Sequence, residues 1–507
     1  MKFLKLTILL LFSITISFSQ TKEQVKHLDS YFQKSLNEWN IPGMAIAIVN
    51  SDSIVFSKGY GFSNIENQTK VDGNTLFAVA SNSKAFTATA IAKLVEERKL
   101  NWDDKVITYL PYFKMYDDYV TNNFTIADLL SHHSGLVTFS GDLLWYGTTK
   151  TPKEIIEAQQ FLKPRFGFRT TFGYSNITFL AAGQIIEKIS GKSWSDYIQT
   201  NFLQPLKMNR TLTSTSQIPN TSNVATPYFY ENNTNHKLKW VNWDNIAPAG
   251  ALISSVNDFS KWLMLNLNNG TLNDKTYFST QSFNKLTTPH TNFTVRSNDE
   301  KVHFKSYGLG WSLQDYEGYK IVSHGGGYDG MISKSLFIPE KKIGVVILTN
   351  NLNWATGAIA NKILDVLLTN NTKGKDWSSN YLHFKIKQDS VSSLESIKNE
   401  ALRGKLNKNH LGLNSYTGVY KDKIYGNVTV TLKNKILHFS MDETPIFYAI
   451  LKHWNHQIFT FRFSTSLASL PEGKLWFDLN KNGEVTKLHI DVPNPDFDFT
   501  EFEFIKQ

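Results

Sequence analysis

The chain contains no cysteine, which excludes disulfides, thiolate nucleophiles, lipid attachment through cysteine and every zinc site built on sulfur. Its stability has to come from packing. No run of five or more Lys/Arg occurs, and the formal charge of +9 falls to +7 once Lys2 and Lys5 are set aside with a segment expected to be removed. That mild, diffuse charge excludes a basic arm, and no nucleic-acid partner is expected. Beyond residue 19 no stretch approaches the ~18 apolar residues of a membrane helix, so no transmembrane segment is expected in the mature protein. Internal repeats and low-complexity tracts are absent. There is no His-Glu-x-x-His, and His453 and His456 have no evident acidic third ligand, so no metal and no other cofactor is expected.

What is present is a chain of 507 residues, long enough for about three domains at ~150 residues each, or one large domain with an appendage. Hydrophobic residues at 41% and charged residues at 19% exclude a disordered chain and a coiled-coil rod. Residues 1–19 read as a secretory signal, with Lys2 and Lys5 at the charged end, an apolar or hydroxylic run from Leu6 to Phe18, and Ser17 and Ser19 before Gln20. A secreted or periplasmic location follows as an expectation. Asn-x-Thr triplets such as Asn123 to Thr125 carry little weight in so Asn- and Thr-rich a chain.

Residues 20–371 alternate helical periodicity with β-branched runs such as Met44 to Val49 and Ile343 to Leu348, the mixture of an α/β or α+β enzyme. Residues 372–412 are polar, with a helix expected near Ser392 to Leu402, and read as a linker. From 413 to 507 the pattern becomes short alternating runs, Val428, Val430, Leu432 and Leu475, Phe477, Leu479, punctuated by Asn434/Lys435 and Asn482/Gly483 turns. That is a small antiparallel β domain.

Ser81 and Lys84 stand three residues apart at the start of a helix, so hydroxyl and amine share a face. A desolvated lysine that loses its proton can accept one from serine, and helix N-terminal N–H groups favour a developing oxyanion. The spacing also occurs at Ser19/Lys22 and Ser282/Lys285, as Tyr-x-Asn does at Tyr174, Tyr230 and Tyr425, and His-x-Gly at His133, His324 and His410. Order distinguishes one set: Ser81/Lys84, then Tyr174, Ser175, Asn176, then His324, Gly325, Gly326 before a strand.

That set resembles the three site motifs of the serine β-lactamase and penicillin-binding protein superfamily in its class C form. Thr125 to Leu136 (TIADLLSHHSGL), Phe202 to Met208, Tyr307 to Trp311 (YGLGW) and Val345 to Asn350 resemble its flanking signatures, and the likeness spans about Val25 to Leu368. It implies an antiparallel sheet covered by helices, a helical subdomain, and a site between them. It further implies Ser81 as nucleophile, Lys84 as its proton partner, Tyr174 as a phenol or phenolate shuttling a proton, Asn176 as a donor to the substrate amide, and His324 as a positioning or polarising group. Gly326 would let the strand approach the substrate, and the backbone N–H groups of Ser81 and Gly327 would form the oxyanion hole. As a base, Tyr174 would need its pKa lowered by Lys84.

Relatives with histidine at the His324 position are often peptidases and esterases, whereas many lactamases have lysine there. The resemblance therefore implies small-molecule or peptide substrates, with D-amino-acid cell-wall peptides ahead of small esters and then β-lactams. A β-lactamase is the first alternative, and a non-catalytic penicillin or peptide sensor the second. An α/β-hydrolase reading of His324-Gly-Gly-Gly fails because no Gly-x-Ser-x-Gly elbow follows. The tail, with Tyr416 to Tyr420 and Tyr425 to Val430, resembles the lipocalin-like domain that often follows this class. Its aromatics could fill a barrel core, line a small-ligand cup, or wall the neighbouring site. The oligomeric state is left open.

Overall fold

The computed structural model describes residues 23–295, 301–403, 410–463, 470–494 and 496–507. The expected leader lies outside them.

The larger domain is built on nine antiparallel strands: β1 (Gly43–Val49), β2 (Ile54–Asn64), β3 (Thr69–Lys70), β4 (Thr291–Phe293), β5 (Lys305–Tyr307), β6 (Ser312–Tyr316), β7 (Tyr319–Tyr328), β8 (Met331–Ile338) and β9 (Ile343–Thr349). They lie in the order β4-β5-β6-β7-β8-β9-β1-β2-β3, so the first strand pairs with the last, Met44 opposite Thr349. All seven residues of β1 are buried because both sheet faces are covered. Alternate side chains serve different cores. Met44, Ile46 and Ile48 pack with a helix over residues 23–38 and with Ile359 and Ile363, while Ala45, Ala47 and Val49 face the helical subdomain.

The subdomain centres on α1 (Ser83–Glu96), flanked by α2 (Asn176–Ser190) and α3 (Val256–Leu267). Ala85, Ala88, Ala90 and Ala92 are all buried on α1, whose small side chains let neighbouring elements pack closely around it. After α4 (Ala355–Thr369) comes α5 (Trp377–Arg403), longer than the helix expected at Ser392 to Leu402. Its first turns are Ser- and Asn-rich and carry no clear apolar period. Tertiary contacts hold them there: Trp377 Nε1 donates to Asp365 Oδ2 (2.7 Å), and the Ser378 N–H to Tyr31 Oη (2.8 Å). No helix among the described residues is long and apolar enough to cross a membrane.

The C-terminal unit is a closed, lipocalin-like barrel of eight strands in sequential order: β10 (Gly418–Asp422), β11 (Gly426–Lys433), β12 (Ile436–Met441), β13 (Tyr448–Asn455), β14 (Ile458–Phe461), β15 (Gly473–Leu479), β16 (Val485–Asp491) and β17 (Phe504–Lys506). Asn434 and Lys435 both have positive φ, which suits the twist of a two-residue hairpin. Val428, Val430, Leu475 and Phe477 point inward as the alternation requires, but Leu479 is exposed. Leu479 is the last residue of β15, beyond a register shift in its pairing with β16. The interior is filled by packed rings: Tyr416 lies 4.7 Å from Phe477, centre to centre, and Phe459 and Phe504 are buried with them. This filling leaves the cup reading without support.

Candidate active site

The chain enters α1 through a single 3₁₀ turn, Ala80–Asn82. Ala80 has φ of 47°, a left-handed conformation that costs a non-glycine residue energy and sits immediately before Ser81. The surroundings hold it there. Asn82 Nδ2 donates to Val79 O (3.1 Å) and Ser333 Oγ (2.9 Å), and Ser335 Oγ donates to Asn82 Oδ1 (2.5 Å). The Ala80–Asn82 turn is thereby fastened to β8.

Gly326 has a packing role. A Cβ built on it would fall 2.2 Å from Val79 O and 2.4 Å from Ser333 Oγ, so its missing side chain lets β7 pack behind the Ala80–Asn82 turn. The neighbouring Gly325 and Gly327 are the exposed glycines of this strand.

Lys84 occupies the first turn of α1 and is fully buried. Its Nζ donates to Asn176 Oδ1 (2.6 Å) and Ala249 O (2.9 Å) and lies 3.2 Å from Ser81 Oγ. Burial pulls the amine down to about 7, with the Asp142 charge opposing. In the neutral amine two protons remain, and the two carbonyl oxygens hold them. The lone pair is then left facing the Ser81 hydroxyl.

Asn176 begins α2, which Ser175 caps by accepting from the Thr178 N–H (3.4 Å). Its amide is engaged at both ends, since Nδ2 donates to Asp142 Oδ2 (2.6 Å). Asp142 also accepts from Trp145 Nε1 (2.9 Å). Burial pushes its carboxyl up to about 7, against those two hydrogen bonds and the Lys84 charge. The asparagine thus bridges an amine and an acid that are both poised near neutrality, and its side chain is committed to protein partners.

Tyr174 turns its ring towards Ser81 and packs on His132 at 4.2 Å, with Lys84 Nζ 4.7 Å from the ring centre. Burial raises the phenol above its ordinary value despite the hydrogen bond with Ser81. The lowering that a phenolate base requires does not occur. His324 Nδ1 lies 2.6 Å from the Gly325 carbonyl, which only accepts, so that nitrogen carries the proton and Nε2 accepts from Tyr307 Oη (2.8 Å). Burial, reinforced by Lys84, pulls the imidazole down to about 3. It is neutral and occupied on both nitrogens.

These groups share one cavity of about 420 Å³. Ser81, Tyr174, Asn176, His324, Gly326 and Gly327 all line it, and Lys84 supports it from beneath. The far wall is aromatic and acidic: Trp145, Tyr146, Trp243 and Tyr328 with Asp142 and Asp329, and from the barrel Leu470, Asp496 and Phe497. The Phe497 ring lies 4.8 Å from that of Tyr146, so a barrel residue walls the neighbouring site, one of the three roles open to the tail's aromatics. Asp329 Oδ1 accepts from Tyr146 Oη, and burial pushes that carboxyl up to about 6. Among the described residues no arginine or lysine lines it.

Sequence reasoning missed Asp142, Asp329 and Asp496, which stand in no motif. It passed over His132 and Tyr307 although both lie in the flanking signatures. His132 Nδ1 accepts the Ser175 N–H (3.1 Å), and its φ of 59° is another left-handed conformation beside the site.

The β-lactamase family model matches residues 28–369, and a second, described as a domain of unknown function (DUF3471), matches residues 402–506. An unguisins hydrolase of Aspergillus campestris is 28% identical over 435 residues, covering 81% of this chain and 79% of that protein. Protein flp of Staphylococcus aureus is 29% identical over 338 residues, 65% of this chain and 64% of that one. Among solved structures, the octameric penicillin-binding protein homologue from Pyrococcus abyssi has a TM-score of 0.59 at 24% identity and covers 95% of this chain and all of that one. A D-stereospecific amidohydrolase from Streptomyces sp. has a TM-score of 0.54 at 21% identity, covering 67% and 97%. At these identities the two structures speak for the fold alone.

Proposed function

The chain belongs to the β-lactamase family, as a serine hydrolase at that level, and from that premise we propose that it cleaves neutral or cationic amides, peptides and esters through an acyl-enzyme on Ser81. The observation that carries the chemistry is the fully buried Lys84 amine, 3.2 Å from Ser81 Oγ and otherwise engaged with Asn176 Oδ1 and Ala249 O. Neutral Lys84 takes the hydroxyl proton as Ser81 attacks the substrate carbonyl. The oxyanion develops towards the Ser81 and Gly327 backbone N–H groups. Tyr174, still protonated, gives its proton to the leaving amine or alcohol and recovers one from Lys84. Water then cleaves the ester by the same transfers in reverse.

Substrate charge follows from the wall of the cavity. Asp142, Asp329 and Asp496 face it with no lysine or arginine lining it among the described residues, which favours a substrate ammonium and opposes a carboxylate. That disfavours β-lactams and C-terminal carboxypeptidase substrates, both of which carry a carboxylate, and moves peptides with a free amine and uncharged esters ahead. Paired p-nitroanilides that differ in a free or a succinylated amine test this. The free amine is expected to give at least tenfold higher kcat/KM, and preference for the succinylated partner overturns the charge reading. Burst kinetics and intact mass with excess uncharged p-nitrophenyl ester, for wild type and Ser81→Ala, test the acyl-enzyme: a Ser81-dependent burst and adduct are expected, and an adduct kept by Ser81→Ala overturns it. We also propose export by cleavage after Ser19, checked by the N-terminal sequence of protein recovered outside the cytoplasm.

A further inference from the structure

We propose that Glu501, a residue of the barrel, is a positioning residue for the Ser81 chemistry: it clamps the Ser140–Gly141 turn so that Asp142 meets Asn176 and, through it, Lys84. The inference rests on the Ser81/Lys84 reading above.

Glu501 ends the 3₁₀ turn Phe499–Glu501, just before β17. Its carboxylate collects three donors from two domains. Oε1 accepts from the Ser140 hydroxyl, and Oε2 accepts from the Gly141 N–H (3.0 Å) and from the Tyr425 hydroxyl. A carboxylate has acceptor sites for all three, which an amide or a hydroxyl lacks.

The turn it holds is narrowly determined. Gly141 has φ of 78°, and a Cβ there would come within 2.6 Å of Leu162 Cδ1 and 2.9 Å of Ile177 Cδ1. Asp142 is the next residue and receives Asn176 Nδ2 at 2.6 Å, while Asn176 Oδ1 receives Lys84 Nζ at 2.6 Å. Every link from Glu501 to Ser81 is therefore a peptide bond or a hydrogen bond. The link is electrostatic as well. Beyond burial and its own hydrogen bonds, Asp142 feels Lys84, which favours its charge, and Glu501, which opposes it. Glu501 in turn is raised by burial, against its hydrogen bonds from Ser140, Tyr425 and Gly141, with Asp498 adding to the rise.

The test uses the full chain and a p-nitrophenyl ester, reading kcat, KM and the pH profile of kcat/KM for wild type, Ser81→Ala, Glu501→Ala, Glu501→Gln, Ser140→Ala and Lys150→Ala. Lys150 pairs with Glu443 across the same domain boundary without touching the turn, and so reports on docking alone. Glu501→Ala is expected to lower kcat at least tenfold with KM within threefold and to displace the acid limb. Glu501→Gln, which keeps an oxygen for Gly141, recovers most of kcat. Ser140→Ala leaves the barrel untouched and lowers kcat threefold or more, while Lys150→Ala stays within twofold. Wild-type kcat and pH profile in Glu501→Ala, with Ser81→Ala inactive, overturns the clamp alone. Equal losses in Lys150→Ala and Glu501→Ala also overturn it, in favour of general docking. Turnover retained by Ser81→Ala overturns the clamp together with the reading beneath it.

Discussion

Replacing Gly326 by alanine separates two roles for this residue, contact with substrate and support of the nucleophile turn. The new methyl would lie 2.2 Å from the Val79 carbonyl oxygen, 2.4 Å from Ser333 Oγ and 3.1 Å from Ala80 Cβ, where ordinary contact begins near 3.4 Å. The serine hydroxyl can rotate away, but the carbonyl is backbone and is held by Asn82 Nδ2 and Ser333 Oγ. Strand β7 and the Ala80–Asn82 turn must therefore part by about 1 Å, an overpacking that costs about 1–3 kcal/mol. A displacement of that size at a nucleophile is worth about 100-fold in rate. Steady-state kinetics on a p-nitrophenyl ester, with active-serine titration and a thermal melt, read all of this. The expected result is kcat down about 100-fold, KM changed far less, and Tm lowered by a few degrees. Gly325→Ala is the internal control, because its Cβ would meet nothing nearer than Ser333 O at 3.8 Å. A Gly326→Ala variant with normal kcat and raised KM, or a Gly325→Ala variant equally damaged, would refute the reasoning.

Activity is expected to rise with pH through about 7 as Lys84 loses its proton, and Asp142→Asn, which removes the charge opposing burial of the amine, should carry that limb to lower pH by about one unit; an upward shift in the pH–rate profile counts against it. The His324 imidazole, held neutral with its lowered value of about 3, should show no titration by NMR between pH 5 and 8, and a midpoint in that window contradicts the assigned tautomer. Asp128 is buried and accepts from Arg169 Nη2 (2.6 Å) while lying 2.6 Å from His133 Nε2. Asp128→Asn should cost about 2–3 kcal/mol in a denaturant titration, since Arg169 reaches water and loses less than a fully buried partner. A loss below about 0.5 kcal/mol rejects that network as a stabilising element.

Ser81, Lys84, Tyr174, Asn176 and His324 were legible because each belongs to a short motif whose order along the chain is distinctive, and the structure brings all five to one cavity. Their electrostatic states were not legible. Whether Tyr174 is lowered by Lys84 or raised by burial depends on how much protein surrounds it, which no spacing encodes. The acidic wall was hidden for a related reason, because Asp142, Asp329 and Asp496 come from segments far apart and are joined by topology alone. The alternation of β11 and β15 foretold an antiparallel β domain, and the resemblance of the tail supplied the barrel, but the register shift at the end of β15, where Leu479 is exposed, is one that periodicity cannot see. The first turns of α5 form through contacts of Trp377 and Ser378 with distant residues, so local propensity understates them.

The barrel lip formed by Leu470, Asp496 and Phe497 divides labour between two modules of the chain. The groups proposed to break the bond all lie in one, while part of the wall of their cavity lies in the other. Exchange of the C-terminal module between cousins could therefore retune selectivity while leaving the catalytic signature letter-perfect. Members of this family with identical signatures need not share a substrate, and the residues to compare between them are those of the lip.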